Sequence, residues 1–318
     1  MKINDYLAEP DSHLLIFQYM PMFTEIETLH ERFLNYSFAI KENSPRTIAW
    51  HRDALKSLRR IVPIETAAEL PRSNIEIWIM KGKTDHNWAA KTRRERIKSI
   101  GLFCNWLIQE EIFSKNPVDT IDLPKLPKRI PRHLPRDQGE TLLMWAHNYP
   151  YHYAFERERG YSMIAMLLFT GIRKKELRSL ELRDVDVENK VVFVRSGKGN
   201  KDRMIPMNDR LLLICRKYLK NREKMKAPSP YFFSPKNASG QLSEAVLNRF
   251  IEKIRAKSKI HFTPHLLRHT FVVLMLEGGC NLFALSKMMG HSDIKTTTIY
   301  LSDTSAHLQD QMRMHPLT

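Results

Sequence analysis

A proline-rich segment constrains the fold of this chain more than any other feature. Residues 116–136 contain five prolines, at positions 117, 124, 127, 131 and 135. Proline lacks a backbone N–H and disfavours a helical conformation in the residue before it, so no regular helix can run through this segment. The segment is also basic, through Lys125, Lys128, Arg129, Arg132 and Arg136. We therefore expect a basic, extended linker over residues 116–136 that separates two domains.

The part of the chain before this linker has the hydrophobic spacing of helices. Ile48, Leu55 and Leu58 recur at helical intervals, and Ser44 followed by Pro45 is typical of a helix N-terminus. Helices are predicted over residues 47–61, 71–82 and 88–111, and nothing in residues 20–113 predicts a strand. We expect residues 23–115 to form a helical domain and residues 1–22 to form an acidic N-terminal extension.

The part after the linker, residues 137–318, combines helices with one hairpin. Residues 190–195 are rich in Val and Phe and predict a strand, and residues 203–207 predict its partner. The turn between them is Gly197-Lys198-Gly199-Asn200. Helices are predicted over residues 137–148, 158–170, 174–181, 209–222, 242–257, 264–278, 281–289 and 294–302. The expected fold class is mainly α with a small antiparallel β-sheet, the second domain being α+β.

The charge distribution points to a polyanionic partner. Lys and Arg number 51 against 35 Asp and Glu, a formal net charge of +16. The excess is concentrated, because residues 81–98 hold seven bases and two acids, and residues 190–226 hold twelve bases and three acids. Such blocks suggest surfaces for a nucleic acid, although any single block is equally compatible with a solvated helix face.

The cysteines and the apolar runs suggest a soluble, cytoplasmic protein. The 3 cysteines have no metal-like spacing and cannot form a disulfide framework. The N-terminus lacks the basic start and apolar core of a signal peptide. The longest strongly apolar run, residues 163–169, is far shorter than the roughly 20 residues of a membrane helix. Together with the positive charge, this predicts a location in the cytoplasm, at the nucleoid.

A set of residues in the second domain suits phosphoryl transfer. Two guanidinium groups can bind the non-bridging oxygens of a phosphodiester as their charge grows toward the transition state. A tyrosine hydroxyl becomes a nucleophile when cations and a base surround it, and a lysine can protonate the departing 5′ oxygen. Taken singly, each residue is more often a surface charge, a core histidine or a packing aromatic, so the hypothesis depends on the ordered set. The set is Arg173, Lys198, His265, Arg268, His291 and Tyr300.

Metal chemistry has less support. His261, His265 and His269 recur every four residues, but Pro264 predicts a helix start that leaves His261 outside. Zincins use His-Glu-x-x-His, and here the glutamate of that motif is missing and an arginine precedes the second histidine. The sequence also lacks the Gly-x4-Gly-Lys-[Ser/Thr] phosphate loop. We expect neither a metal nor a cofactor.

The residues of this set lie in motifs that resemble those of the tyrosine recombinases, with a pattern nearest to Xer recombinases and phage-type integrases. In chain order the motifs are Thr-Gly-Ile-Arg-Lys-Lys-Glu-Leu, Gly-Lys-Gly-Asn-Lys-Asp-Arg, Thr-Pro-His-Leu-Leu-Arg-His-Thr and Met-Gly-His-Ser, followed by Tyr300. The first domain, residues 23–115, resembles the family's helical core-binding domain more weakly, and this resemblance implies that it binds DNA. Together the resemblance covers about residues 25–315.

The resemblance implies the central chemistry. Arg173 and Arg268 would bind the scissile phosphate, and Tyr300 would attack it and form a 3′-phosphotyrosyl link. This link conserves the energy of the broken bond, so neither ATP nor a metal would be required. The implied reaction is site-specific recombination, either chromosome-dimer resolution or integration and excision of a mobile element.

The resemblance also implies the supporting roles. Lys198 would protonate the 5′-hydroxyl leaving group, and His265 would assist proton transfer from the tyrosine. His291 would hydrogen-bond the phosphate in the transition state. Glu176 matches an acidic position one helical turn after the first arginine and would orient the site.

The family's mode of DNA binding gives further expectations. Its two domains grip duplex DNA as a clamp, and four protomers act on two DNA sites, with a C-terminal helix of each docked on a neighbour. Residues 306–314 are the candidate for that helix, and Xer systems often use an activating protein partner. The candidate DNA contacts are Arg46, Lys91, Arg94, Lys98, Arg129, Arg132, Lys201 and Arg203.

Two features depart from the family pattern, and two other functions stay open. Residues 148–160 predict a longer connection than the family usually has. Residues 1–22 are too short for the separate arm-binding domain of some phage integrases. A type IB DNA topoisomerase would use a similar site, and a DNA-binding protein without catalysis would share the basic surfaces. The complete set of six residues speaks against the second alternative.

Overall fold

The computed structural model describes residues 24–126, 132–195, 202–226, 228–236 and 239–290. The chain divides into two compact units between residues 128 and 129, inside the proline-rich segment. Each unit has its own cluster of buried hydrophobic side chains. Within the described ranges no helix has both the length and the apolar character needed to cross a membrane.

The first unit is helical. Its helices are α1 (Ile26–Ala39), α2 (Pro45–Ile61), α3 (Arg72–Thr84) and α4 (Ala90–Gln109), with a short 3-10 helix at Ala67–Glu69. The start of α2 lies at the predicted motif, because the hydroxyl of Ser44 accepts a hydrogen bond from the backbone N–H of Thr47. Between residues 24 and 126 the structure contains one isolated β-bridge, Glu25 with Thr66, and no strand.

The second unit is built around one buried helix. Its helices are α5 (Arg136–Asn148), α6 (Ala154–Thr170), α7 (Lys174–Ser179), α8 (Asp209–Lys224), α9 (Glu244–Ser258), α10 (Pro264–Glu277) and α11 (Leu282–Met289). Helix α6 packs against α5, α8 and α10. Every side chain of residues 163–168 is buried, which accounts for the apolar run in the sequence.

A small antiparallel sheet completes the second unit. Its strands are β1 (Val185–Asp186), β2 (Val191–Val194) and β3 (Arg203–Pro206), in the order β1-β2-β3. Val192 of β2 pairs with Val185 on one side and Ile205 on the other. The hairpin of β2 and β3 was predicted, whereas β1 is too short to show an alternating pattern. The expectation of a mainly α fold with a small antiparallel sheet is confirmed.

The prediction of a long connection over residues 148–160 is wrong. Helix α6 begins at Ala154, so residues 149–153 alone join it to α5. The first turns of α6 carry several charged side chains, which interrupt the apolar spacing that predicts a helix. One of them, Glu158, is fully buried and forms ion pairs with Arg157 and Lys217. The helices predicted over residues 294–302 and 306–314 lie outside the described residues.

Candidate active site

Arg173 lies at the junction between α6 and α7. Helix α6 ends at Thr170 and is followed by Gly171, whose φ of 61° is in the left-handed region that favours glycine. The backbone N–H of Arg173 donates to Oε2 of Glu176 at 2.8 Å, and its Nη1 donates to Oε1 of the same carboxylate at 2.7 Å. The Arg173 side chain is 28% exposed. This predicted phosphate-binding residue is therefore held by the protein and still open to a ligand.

Glu176 lies between two arginines. Arg203, at the start of β3, donates to Oε1 and Oε2 of Glu176 at 3.0 and 2.7 Å. Burial alone would raise the pKa of Glu176, but the hydrogen bonds and charge of Arg203, together with the hydrogen bonds from Arg173, lower it to about 2. Glu176 is therefore ionised at neutral pH and fixes the backbone and the side chain of Arg173.

The lowered pKa of Glu176 predicts a loss of stability in acid. A carboxyl whose pKa falls from 4.5 to about 2 on folding stabilises the protein above pH 4.5, and this contribution is lost as the pH falls toward 2. The expected loss is about 3 kcal/mol. Urea unfolding of the wild type and Glu176→Gln would measure it, with a stability difference that narrows across this pH range. A difference independent of pH would contradict the assignment.

Arg268 is buried on α10 and holds two backbone carbonyls. Its Nη1 donates to the Gly171 carbonyl at 2.6 Å, and its Nη2 donates to the Met289 carbonyl at 2.7 Å. The first carbonyl belongs to the turn that precedes Arg173, and the second to the last residue of α11. Burying a guanidinium without hydrogen-bond partners would cost free energy, and these two bonds avoid that cost. They also fix the orientation of the guanidinium plane. Arg268 therefore contacts the same turn, at Gly171, from which Arg173 extends two residues later.

His265 is paired with a second histidine. It lies in the first turn of α10, and its Nε2 is 3.0 Å from Nε2 of His269. Burial, with smaller effects of the His265 and Arg268 charges, lowers the pKa of His269 to about 4. His269 is therefore neutral at neutral pH and shares one hydrogen bond with His265. In the sequence, His269 suggested only a metal ligand, although the i, i+4 spacing on one helix already indicated that the two rings lie together.

The remaining predicted catalytic residues, Lys198, His291 and Tyr300, lie outside the described residues. Among the residues that are described, the structure brings Arg173, Glu176 and Arg268 together and places His265 one turn before Arg268 on α10. Within that same part of the chain, no three His, Cys, Asp or Glu side chains are grouped so that they could hold a metal ion.

The structure places Arg203, one of the predicted DNA contacts, inside the protein. The Arg203 side chain is only 6% exposed, and its guanidinium binds Glu176 and the Met288 carbonyl. It lies on the same face of β3 as Ile205, which is buried. Strand alternation could have shown this, because residues two apart share one face of a sheet. Without the strand, Arg203 is simply one more base in a basic block of the sequence.

The other candidate DNA contacts differ in exposure. Arg94 is partly buried and donates to the carbonyl of Pro124 at 3.2 Å. The exposed candidates are Arg46, Lys91, Lys98 and Arg132. Arg129 and Lys201 lie outside the described residues.

Comparison with known proteins identifies the family. The phage integrase family matches over residues 132–307. The chain is similar to the tyrosine recombinase XerD of Rickettsia prowazekii (strain Madrid E), with 31% identity over 304 residues, 90% of this chain and 96% of that protein. It is also similar to the tyrosine recombinase XerA of Pyrococcus horikoshii, with 35% identity over 189 residues, 59% of this chain and 62% of that protein. The chain therefore belongs to the phage integrase family and is a tyrosine recombinase, an enzyme of site-specific DNA recombination.

Solved structures share the fold. One is the Tn1549 transposon integrase in complex with a circular intermediate DNA, with a TM-score of 0.71 and 22% identity, covering 92% of this chain and 100% of that one. Another is the XerH site-specific recombinase bound to a palindromic difH substrate, with a TM-score of 0.70 and 17% identity, covering 89% of this chain and 83% of that one. These likenesses confirm the helical fold with its small sheet.

Proposed function

We propose that this chain cuts and rejoins duplex DNA through a covalent bond to Tyr300. The tyrosine oxygen attacks the scissile phosphorus, the bond to the 5′ oxygen breaks, and a 3′-phosphotyrosyl link forms. A 5′-hydroxyl from a second DNA strand then attacks this link and releases Tyr300. Each step exchanges one phosphoester for another, so no energy source is consumed.

The arrangement of Arg173 and Arg268 is the observation that carries this proposal. Each guanidinium is fixed by hydrogen bonds, Arg173 to Glu176 and Arg268 to the carbonyls of Gly171 and Met289. Donors held in place before the reaction stabilise charge that develops on a phosphate without reorganising during it. Two such cations at one turn can stabilise the negative charge that develops on the non-bridging oxygens of a pentavalent phosphate.

The other residues supply proton transfer. Lys198 protonates the 5′ oxygen as it leaves, and His265 accepts the proton of the Tyr300 hydroxyl. The neutral His269 beside His265 supports this role. A neutral His269 ring can hydrogen-bond His265 without adding a positive charge that would oppose protonation of His265. His291 donates a hydrogen bond to the phosphate in the transition state, and Glu176 orients Arg173.

We further propose that the enzyme acts in the cytoplasm, at the nucleoid, on paired DNA sites. Four protomers assemble there, and residues 306–314 of each protomer contact a neighbour. An activating protein partner stimulates the recombination reaction. The two solved relatives named above are in complex with DNA, which supports duplex DNA as the partner. The DNA-binding surface includes the exposed bases of the first unit and the linker. These bases are Arg46, Lys91, Lys98 and Arg132.

Covalent capture tests this function. Wild-type protein is mixed with fragmented DNA from the source genome, quenched with SDS, and the DNA attached to protein is sequenced. We expect adducts at one recurring sequence, with the phosphorylated residue mapped to Tyr300 by mass spectrometry. Tyr300→Phe should give no adduct. The matched control Tyr153→Phe, which alters an exposed tyrosine on the loop before α6, should give as many adducts as the wild type.

The other outcomes separate the alternative functions. Adducts spread over many sequences, with relaxation of supercoiled DNA and no joined molecules, would support a type IB topoisomerase. DNA binding without an adduct, together with no joined product, would contradict a catalytic role and support a DNA-binding protein.

A further inference from the structure

Arg203 uses its guanidinium to connect three elements of the second unit. Its Nε donates to the Met288 carbonyl at 2.8 Å, while Nη1 and Nη2 donate to the two oxygens of Glu176. Arg203 belongs to β3, Glu176 to α7 and Met288 to the end of α11. Burial of this charge is compensated by an ionised carboxylate and a carbonyl. Such a buried, fully engaged arginine has a role inside the protein.

The backbone near the end of α11 is adapted to this side chain. Gly290 follows α11 with a φ of 62°, and a Cβ at this position would lie 2.9 Å from Cδ of Arg203. Glycine therefore permits both the left-handed turn and the close passage of Arg203. The neighbouring carbonyl, that of Met289, is held by Arg268. Two arginines thus fix consecutive carbonyls just before His291.

The charges of this group explain why a second arginine is useful. Glu176 carries one negative charge and lies beside two guanidinium groups. Arg203 contacts both carboxylate oxygens from the buried side, whereas the Arg173 guanidinium contacts one of them from the exposed side. If Arg203 were absent, the whole negative charge of Glu176 would offset the positive charge of Arg173 and weaken the attraction of Arg173 for a phosphate. With Arg203 present, the three residues retain one net positive charge.

We propose that Arg203 is a positioning residue for DNA cleavage, which balances the charge of Glu176 so that Arg173 stays available to the scissile phosphate. This inference rests on the proposed function. Arg203 itself does not touch the DNA. It acts through Glu176 on Arg173, and its Nε also holds the Met288 carbonyl at the end of α11.

The charge argument has a specific test. Single-turnover cleavage is measured on the duplex recovered by covalent capture, with DNA affinity and thermal unfolding measured in parallel. Arg203→Met should slow cleavage by about tenfold to a hundredfold, the size of effect known for a misplaced catalytic group. Adding Glu176→Gln to Arg203→Met should restore at least part of the rate, because the neutral amide no longer neutralises Arg173. A residue with a merely structural role would show no such rescue.

A charged replacement separates charge from shape. Arg203→Lys keeps a positive charge beside Glu176 and should cleave faster than Arg203→Met. If Arg203→Met does not fold, Arg203→Gln serves as the uncharged variant. Equal rates for the wild type and the uncharged variant, or no rescue by Glu176→Gln, would overturn the role of Arg203 and leave the proposed function intact. A wild type that forms no adduct with Tyr300 would overturn both.

Discussion

Arg268→Lys is expected to slow DNA cleavage by about a hundredfold to a thousandfold, the usual cost of removing a preorganised donor to transition-state charge. Arg268 holds the carbonyls of Gly171 and Met289 with two nitrogens of one plane. Lysine keeps the charge but offers its donors from a single nitrogen, so it cannot keep both carbonyls and also present an N–H to the phosphate. Single-turnover formation of the SDS-stable adduct measures the rate.

A conservative exchange at another ion pair provides the control. Arg72 of α3 is exposed and pairs with Glu76 at 2.7 Å. Arg72→Lys should cleave DNA at a rate within about twofold of the wild type, since exposed ion pairs contribute little energy. Thermal unfolding of Arg268→Lys shows how much of its defect comes from lost stability. A folded Arg268→Lys that cleaves at the wild-type rate would remove Arg268 from the catalytic set.

Much of the fold follows from local sequence patterns. Helix α2 begins at Ser44 and Pro45 because capping and proline geometry act over a few residues. The β2–β3 hairpin follows from two short apolar runs around a glycine turn. The start of α6 was missed because it depends on tertiary contacts. Its charged Glu158 is buried by partners such as Lys217, which is distant in sequence.

The site shows the same division between local and tertiary information. The motif around Arg173 and the pair His265 and Arg268 are readable because each lies within one short segment. The partners that fix these residues come from elsewhere in the chain. Gly171 is brought to Arg268, and Arg203 to Glu176, by the packing of the second unit. A basic block in the sequence therefore mixes bases that face solvent with one that neutralises a buried acid.

The turn at Gly171 predicts the second large effect, this time on stability. Gly171→Ala places a side chain on a left-handed residue, and the new Cβ would lie 2.6 Å from Cδ1 of Phe271 and 3.1 Å from the sulfur of Met289. Left-handed strain and overpacking together should lower the free energy of unfolding by about 2–4 kcal/mol. Any backbone movement that relieves these contacts would also displace the Gly171 carbonyl, which accepts from Arg268. Urea unfolding of the second unit measures the loss.

Gly139→Ala is the matched control for this glycine. Gly139 lies in α5, and a Cβ added there would meet no heavy atom within 4 Å. Alanine in a helix should raise the free energy of unfolding by about 0.5–1 kcal/mol, opposite in sign to the change at Gly171. If Gly171→Ala were as stable as Gly139→Ala, the turn would tolerate a side chain. The placement of Arg268 by the Gly171 carbonyl would then need a different explanation.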